Sequence, residues 1–219
     1  MENNYKVLED KLKHLFETIP NSCILQFQNY VDLICEWTKR INLISINDKD
    51  RIIERHILES ISVLGSIKIP EKSTCLDLGS GAGFPGIPLK IVRPDFNMTL
   101  LDSKRMKCLF LKKVVKTLEL PSTDVVCERV EMLQEKSGFN ACFDLLFIRG
   151  ISGLYQLWKW ASPLLKKDGK MVVWKGGDIE KEIKPLRSKY SDINIEVFPV
   201  SPYFVNPSLN RKIVVVAPI

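Results

Sequence analysis

Thr74-Cys75-Leu76-Asp77-Leu78-Gly79-Ser80-Gly81-Ala82-Gly83-Phe84-Pro85-Gly86-Ile87-Pro88 is the stretch whose reading decides the fold. Cys75 to Leu78 is a short apolar run broken by one acid, Asp77, and reads as a buried strand. Glycines follow at alternate positions, Gly79, Gly81 and Gly83, where a backbone can turn tightly and approach a ligand. Pro85, Gly86 and Pro88 then lead into a segment of helical composition, and proline is welcome in a first helical turn. Strand, glycine turn and helix start together describe a nucleotide-type pocket at the carboxyl end of a parallel sheet.

Outward from this stretch the chain alternates. Strands are expected at 74–78, 97–102, 124–127, 143–148, 170–174, 193–199 and 212–217, and helices at 86–92, 104–118, 131–136, 153–161 and 178–189. This predicts an α/β fold with a parallel sheet covered on both faces. The last two strands lack a helix between them. Pro199, Pro202, Asn206 and Pro207 mark a loop there instead, so the end of the sheet is expected to be antiparallel. Upstream, residues 4–65 read as helices. Ile24, Phe27, Val31 and Ile34 form one stripe, with Pro20-Asn21-Ser22 as its start signal. Ile53, Ile57, Ile61 and Leu64 form another, with Asn47 and Asp48 as cap candidates. Two parts result, a helical extension at 1–70 and a sheet domain at 71–219.

The 219 residues carry a net charge of +6, unevenly placed. Residues 1–70 hold 9 basic against 10 acidic side chains, and residues 71–219 hold 23 against 16. The basic excess thus belongs to the part with the glycine turn, which suits a polyanion such as RNA. Six cysteines stand singly with no C-x-x-C, and only His14 and His56 could join them, so no metal site is expected. Reduced, buried thiols are the expected state. The first residues show no basic-then-apolar signal pattern, and no apolar run approaches the roughly 20 residues of a membrane helix. A cytoplasmic protein without membrane contact is expected. No feature speaks to oligomeric state, and a monomer is the default.

The glycine turn is not a dinucleotide fingerprint. G-x-G-x-x-G would need its third glycine at 84, where Phe84 stands. An acid after the second strand is present, Asp102, placed to accept hydrogen bonds from both ribose hydroxyls. A ribose-bearing ligand without a pyrophosphate fits best, and S-adenosylmethionine is the common one.

The chain resembles the RsmG (GidB) family of bacterial 16S ribosomal RNA guanine-N7 methyltransferases. The matching segments are Asn42-Leu43-Ile44-Ser45, Arg55-His56-Ile57-Leu58-Glu59-Ser60, Leu76 to Pro88, Ile91-Val92-Arg93-Pro94, Leu101-Asp102-Ser103, Arg129-Val130-Glu131, Phe143-Asp144 with Arg149, Lys175-Gly176, and Arg211 to Val216. The resemblance implies a Rossmann-like class I methyltransferase fold with a seven-stranded sheet, and methyl transfer from S-adenosyl-L-methionine to a guanine of the small ribosomal subunit. It also implies a cofactor site. Gly79 and Phe84 would border the methionine part and ribose, Asp102 the ribose hydroxyls, and Val130 and Glu131 the adenine, with Gly81 also among the cofactor-binding residues. Arg149 would line the methyl-transfer pocket, its guanidinium turned toward the methionine carboxylate. Glu59 departs from the family's usual Asp, Glu128 from Ser and Gly150 from Ala. His56 is expected to be structural rather than catalytic. Lys104, Arg105, Lys175, Arg211 and Lys212 are candidate RNA contacts, and Lys112, Lys113 and Lys116 are assigned to solvent. The alternatives are a methyltransferase of another acceptor and a non-catalytic RNA-binding protein.

Overall fold

The computed structural model describes residues 2–16, 21–136 and 138–219. Pro20, part of the start signal read for the second helix, lies outside them. Among the described residues, seven strands form one sheet in the order β3-β2-β1-β4-β5-β7-β6. They are β1 (Thr74–Leu78), β2 (Asn97–Asp102), β3 (Thr123–Cys127), β4 (Phe143–Arg149), β5 (Leu165–Gly176), β6 (Ile193–Pro199) and β7 (Arg211–Pro218). The first five run parallel, and β7 inserts antiparallel between β5 and β6. The expected antiparallel end is therefore present. β5 is longer than expected because Leu165 already pairs with Phe143 ahead of an irregularity in register.

Strand periodicity divides the core into two. Cys75, Met98, Leu100, Leu145, Phe147, Val172, Trp174, Ile213 and Val215 face one side, together with α4 (Gly86–Val92) and α5 (Arg105–Thr117). Leu76, Leu78, Leu101, Leu146, Ile148, Met171, Val173, Val214 and Val216 face the other, under α6 (Val130–Gln134), α7 (Leu154–Ala161) and α8 (Glu180–Lys189). The first face is shared with the N-terminal helices α1 (Glu2–Leu15) and α2 (Asn21–Thr38): Leu8, Leu12, Phe27, Tyr30 and Ile34 are fully buried in that same cluster.

One segment departs from the helical stripe read for 53–64. Ile46–Arg51 is a 3₁₀ turn, Ile53–Leu58 a π turn, Glu59–Ile61 a single α turn (α3) and Ser62–Gly65 another 3₁₀ turn. Its cap is Ser45, whose side chain accepts from Asn47 N–H, rather than Asn47 or Asp48. The cause is competition for carbonyls. Glu59 N–H turns to the His56 carbonyl, leaving the Arg55 carbonyl to Arg149. The Glu59 carbonyl accepts from the Trp174 indole and the Ser62 hydroxyl. Side chains of the sheet edge thus take acceptors that a regular helix would have used itself.

All six cysteines are free thiols: Cys23, Cys75 and Cys108 are buried, Cys35 and Cys142 are half-buried, and Cys127 is exposed. Among the described residues no cluster of metal-ligating side chains occurs, and no helix is long and apolar enough to cross a membrane.

Candidate cofactor site

At the carboxyl ends of β1, β2 and β3 the loops enclose a cavity of about 450 Å³. Gly79, Asp102, Lys107, Val130, Glu131 and Ile151 are among its walls. A somewhat larger hollow, about 490 Å³, lies between α1, the 46–58 turns and residues 202–207. It has neither a glycine turn nor an acid at a strand end, so the first cavity is the one with ligand chemistry.

The glycine turn floors this cavity because its backbone has left the region open to side chains. Gly79 has φ +76°, and a Cβ there would stand 3.1 Å from the Ile151 side chain. Asp102 is 7% exposed and accepts from Gly81 N–H at 2.9 Å and Lys104 N–H at 2.8 Å. That one carboxylate ties the glycine turn to the start of α5. Lys107 leans over the turn, its Nζ 3.6 Å from where a Gly81 Cβ would sit. A carboxylate at the second strand, open backbone at the first and a mixed apolar and charged wall fit a ribonucleoside bearing an amino-acid tail.

Four of the residues expected at a cofactor, Gly79, Asp102, Val130 and Glu131, line the cavity, and Gly81 lies behind it on Asp102. Phe84 and Arg149 do not join them. Phe84 is 8% exposed and turned toward the N-terminal helices: its ring stacks on His56 with centroids 4.8 Å apart and meets Tyr30 at 5.6 Å. The Arg149 guanidinium also points that way. Its Nη2 donates to Glu59 Oε2 at 2.7 Å and to the Arg55 carbonyl at 2.8 Å, and lies 3.1 Å from His56 Nδ1. Its Nη1 is buried without a protein partner.

Around Arg149 sits a network that sequence reasoning did not assemble. Glu59 is 2% exposed and also lies 2.9 Å from Arg211 Nε at the start of β7. Burial lowers the Arg149 pKa from its ordinary value, with Glu59 opposing and Arg211 adding to the shift. His56 is pushed down to about 4 by burial and by Arg149, so its ring is neutral near pH 7 and Nδ1 is free to accept from Arg149. Its Nε2 stands 3.5 Å from Asp48, which is also paired with Arg55 at 2.7 Å. Beneath the glycine turn, Asp77 is fully buried, accepts from Gly86 N–H at 3.0 Å and has Oδ1 unpartnered; burial raises it to about 7. Tyr30 reaches in from α2 and donates to the Ala82 carbonyl at 2.6 Å. Ile151 was missed as well, although its place just beyond β4, at the carboxyl edge, is where a doubly wound sheet puts ligand contacts.

Of the candidate RNA contacts, Lys104 and Arg105 are exposed at the rim; Lys112, Lys113 and Lys116, assigned to solvent, are exposed further along α5. Lys175 is committed to Glu182 at 2.7 Å and the Ser152 carbonyl at 2.5 Å, and Arg211 to Glu59.

A sheet of order 3-2-1-4-5-7-6 with such a cavity at its carboxyl edge defines the class I S-adenosylmethionine-dependent methyltransferase fold. A methyltransferase of this kind from Aquifex aeolicus superposes with a TM-score of 0.55 at 18% identity, over 78% of this chain and 94% of that one. The family is settled by sequence. The family model "rRNA small subunit methyltransferase G" (GidB) matches residues 24–204, and the chain belongs to that family. Ribosomal RNA small subunit methyltransferase G of Desulforamulus reducens is 35% identical over 81% of this chain and 74% of its own length. Its counterpart in Carboxydothermus hydrogenoformans is 32% identical over 95% and 90%.

Proposed function

We propose that this protein methylates N7 of a guanine in the 16S ribosomal RNA of the small ribosomal subunit, using S-adenosyl-L-methionine. The observation that carries the reading is the Asp102–Gly81 link at a cavity bordered by Gly79, in a chain that belongs to this family. Asp102 holds the ribose hydroxyls, Val130 and Glu131 flank the adenine, and Gly79 borders the methionine end, with Gly81 held behind it. Phe84 and Arg149 act from behind this pocket, where Arg149 Nη1 remains for a ligand acceptor.

When bound, S-adenosylmethionine supplies a methyl carbon whose bond to sulfur breaks as the N7 lone pair attacks, leaving a neutral thioether and a cationic purine. N7 has no proton to lose, so no general base is called for, and the protein's work is alignment of donor and acceptor. The exposed Lys104 and Arg105 at the cavity rim contact RNA phosphates, and affinity falls with salt according to the phosphates neutralised. The extension at 1–70 serves as a wall for the sheet domain at 71–219, and the protein works as a cytoplasmic monomer.

The test is mass mapping of modified guanines in 16S ribosomal RNA from cells with and without the protein. One N7-methylguanine should vanish and return on complementation; identical maps would overturn the reading. Titration of the purified protein with S-adenosylmethionine separates an enzyme from a non-catalytic RNA binder, which would show no uptake.

A further inference from the structure

The Glu59 carboxylate is buried between two guanidinium groups, and methyl transfer as outlined above gives it no role. Three elements at the carboxyl edge of the sheet converge on this residue, two of them on its carboxylate and one on its backbone carbonyl. Arg149 ends β4 and meets Oε2 at 2.7 Å, Arg211 begins β7 and meets Oε1 at 2.9 Å, and Trp174 near the end of β5 donates to the Glu59 carbonyl at 2.8 Å. At 2% exposure, the residue sits where charges are screened far less than at the surface.

Charge explains the arrangement. With the ribose at Asp102 and the adenine at Val130 and Glu131, the sulfur end of the cofactor lies toward Gly79 and Ile151, two residues from Arg149. The donor is a sulfonium cation, and the product purine carries the same positive charge. Arg149, behind that pocket, and Arg211, on the same Glu59 carboxylate, would oppose both if their charge were left unpaired. Asp77 offers little compensation, since burial raises it to about 7 and leaves it partly protonated at neutral pH. His56 is neutral there and adds no charge of either sign.

We propose that Glu59 is a positioning residue for methyl transfer, holding Arg149 and Arg211 in place and neutralising guanidinium charge behind the sulfonium site. The proposal rests on the cofactor reading above. It predicts discrimination by charge: a carboxylate at 59 favours S-adenosylmethionine over S-adenosylhomocysteine, which has nearly the same shape but lacks the sulfonium charge.

The experiment measures both dissociation constants by titration calorimetry on the full-length wild type, Glu59→Gln, Glu59→Asp, Arg211→Gln and the Glu59→Gln/Arg211→Gln pair. Relative to wild type, Glu59→Gln should raise the ratio of the S-adenosylmethionine constant to the S-adenosylhomocysteine constant by about fivefold. Glu59→Asp should hold the ratio within about twofold, since the charge stays. Arg211→Gln should lower it, and the double variant should return it toward the wild-type value. A Glu59→Gln variant that weakens both ligands equally would reduce Glu59 to a structural tie and overturn the proposal. Should Glu59→Gln fail to melt cooperatively, Arg211→Gln decides, and an unchanged ratio there overturns it too. A wild type that binds S-adenosylhomocysteine but shows no methylation of small subunits defeats the proposed function and leaves the ratios to judge Glu59. A wild type that binds neither ligand defeats both.

Discussion

Asp102 has both carboxylate oxygens engaged before any ligand arrives, one on Gly81 N–H and one on Lys104 N–H. Each oxygen keeps a further lone pair for a ribose hydroxyl. Asp102→Ala should therefore loosen the glycine turn and remove the ribose contacts together, weakening S-adenosylmethionine binding by about 1–3 kcal/mol in calorimetry. Unchanged affinity would mean that the ribose lies elsewhere. Two other side chains make opposite claims on pH. His56 falls from 6.5 to about 4 on folding, so between those values the unfolded chain holds a proton the folded one lacks. Its stabilising contribution is full above pH 6.5 and is lost as pH falls toward 4. Asp77 rises from 3.8 to about 7, so the folded chain holds the extra proton, and stability is lost as pH climbs through that window. Each contributes a slope of about 1.4 kcal/mol per pH unit, with opposite sign. Urea melts of the wild type should show these two slopes nearly cancelling between pH 4.5 and 6.5. Asp77→Asn should then lose stability on acidification, and His56→Gln should gain it. Parallel profiles in the two variants would contradict both assignments.

The glycine turn is held at element scale by a helix far away in sequence. Tyr30 of α2 donates to the Ala82 carbonyl at 2.6 Å, and its hydroxyl occupies the space beside Gly83. Tyr30→Phe leaves that carbonyl unpaired in the core and should lower stability by about 1–2 kcal/mol in denaturant melts. Hydrogen exchange should quicken at Gly83 and Phe84, whose amides bond to the Ser80 carbonyl; protection equal to wild type would show that the turn holds itself. The turn and sheet were legible because their signals are local: alternation within strands, glycines at fixed spacing, and an acid one strand later. Leu111, Val114, Val115 and Leu118 carry helical spacing in the sequence, and all but the half-buried Val115 are buried along and just past α5. The Glu59 network was not legible. Its partners lie 90 and 152 positions further along the chain (149 − 59 and 211 − 59), and no periodicity records such a meeting. The π turn was hidden for a related reason, since its apolar stripe is helical and only the competing donors Arg149 and Trp174 distort it. Phe84 was read as excluding a dinucleotide turn, yet spacing alone could not tell that its ring faces away from the cavity.

At the scale of the molecule, one face of the sheet depends on the first 70 residues for cover. Leu100, Phe110, Leu145, Phe147 and Val172 pack in the same cluster as Leu8, Phe27, Tyr30 and Ile57. A chain of residues 71–219 would expose that face, and apolar burial is worth roughly 25 cal/mol per Å². Such a chain should be insoluble, or soluble without near-ultraviolet dichroism and with strong binding of a hydrophobic dye. A soluble product with a cooperative melt would instead mark the sheet part as self-sufficient. The insertion of β7 between β5 and β6 bears on synthesis as well. Arg211 opens β7, the last strand of the sheet in chain order, and is the second cation on Glu59. During translation, Glu59 and Arg149 emerge long before it, so a chain released early carries a glycine turn and Asp102 but an uneven charge at the sheet edge. The charge balance at Glu59 is thus deferred until β7 has been made, and chains released before it are unfinished enzymes rather than weak ones.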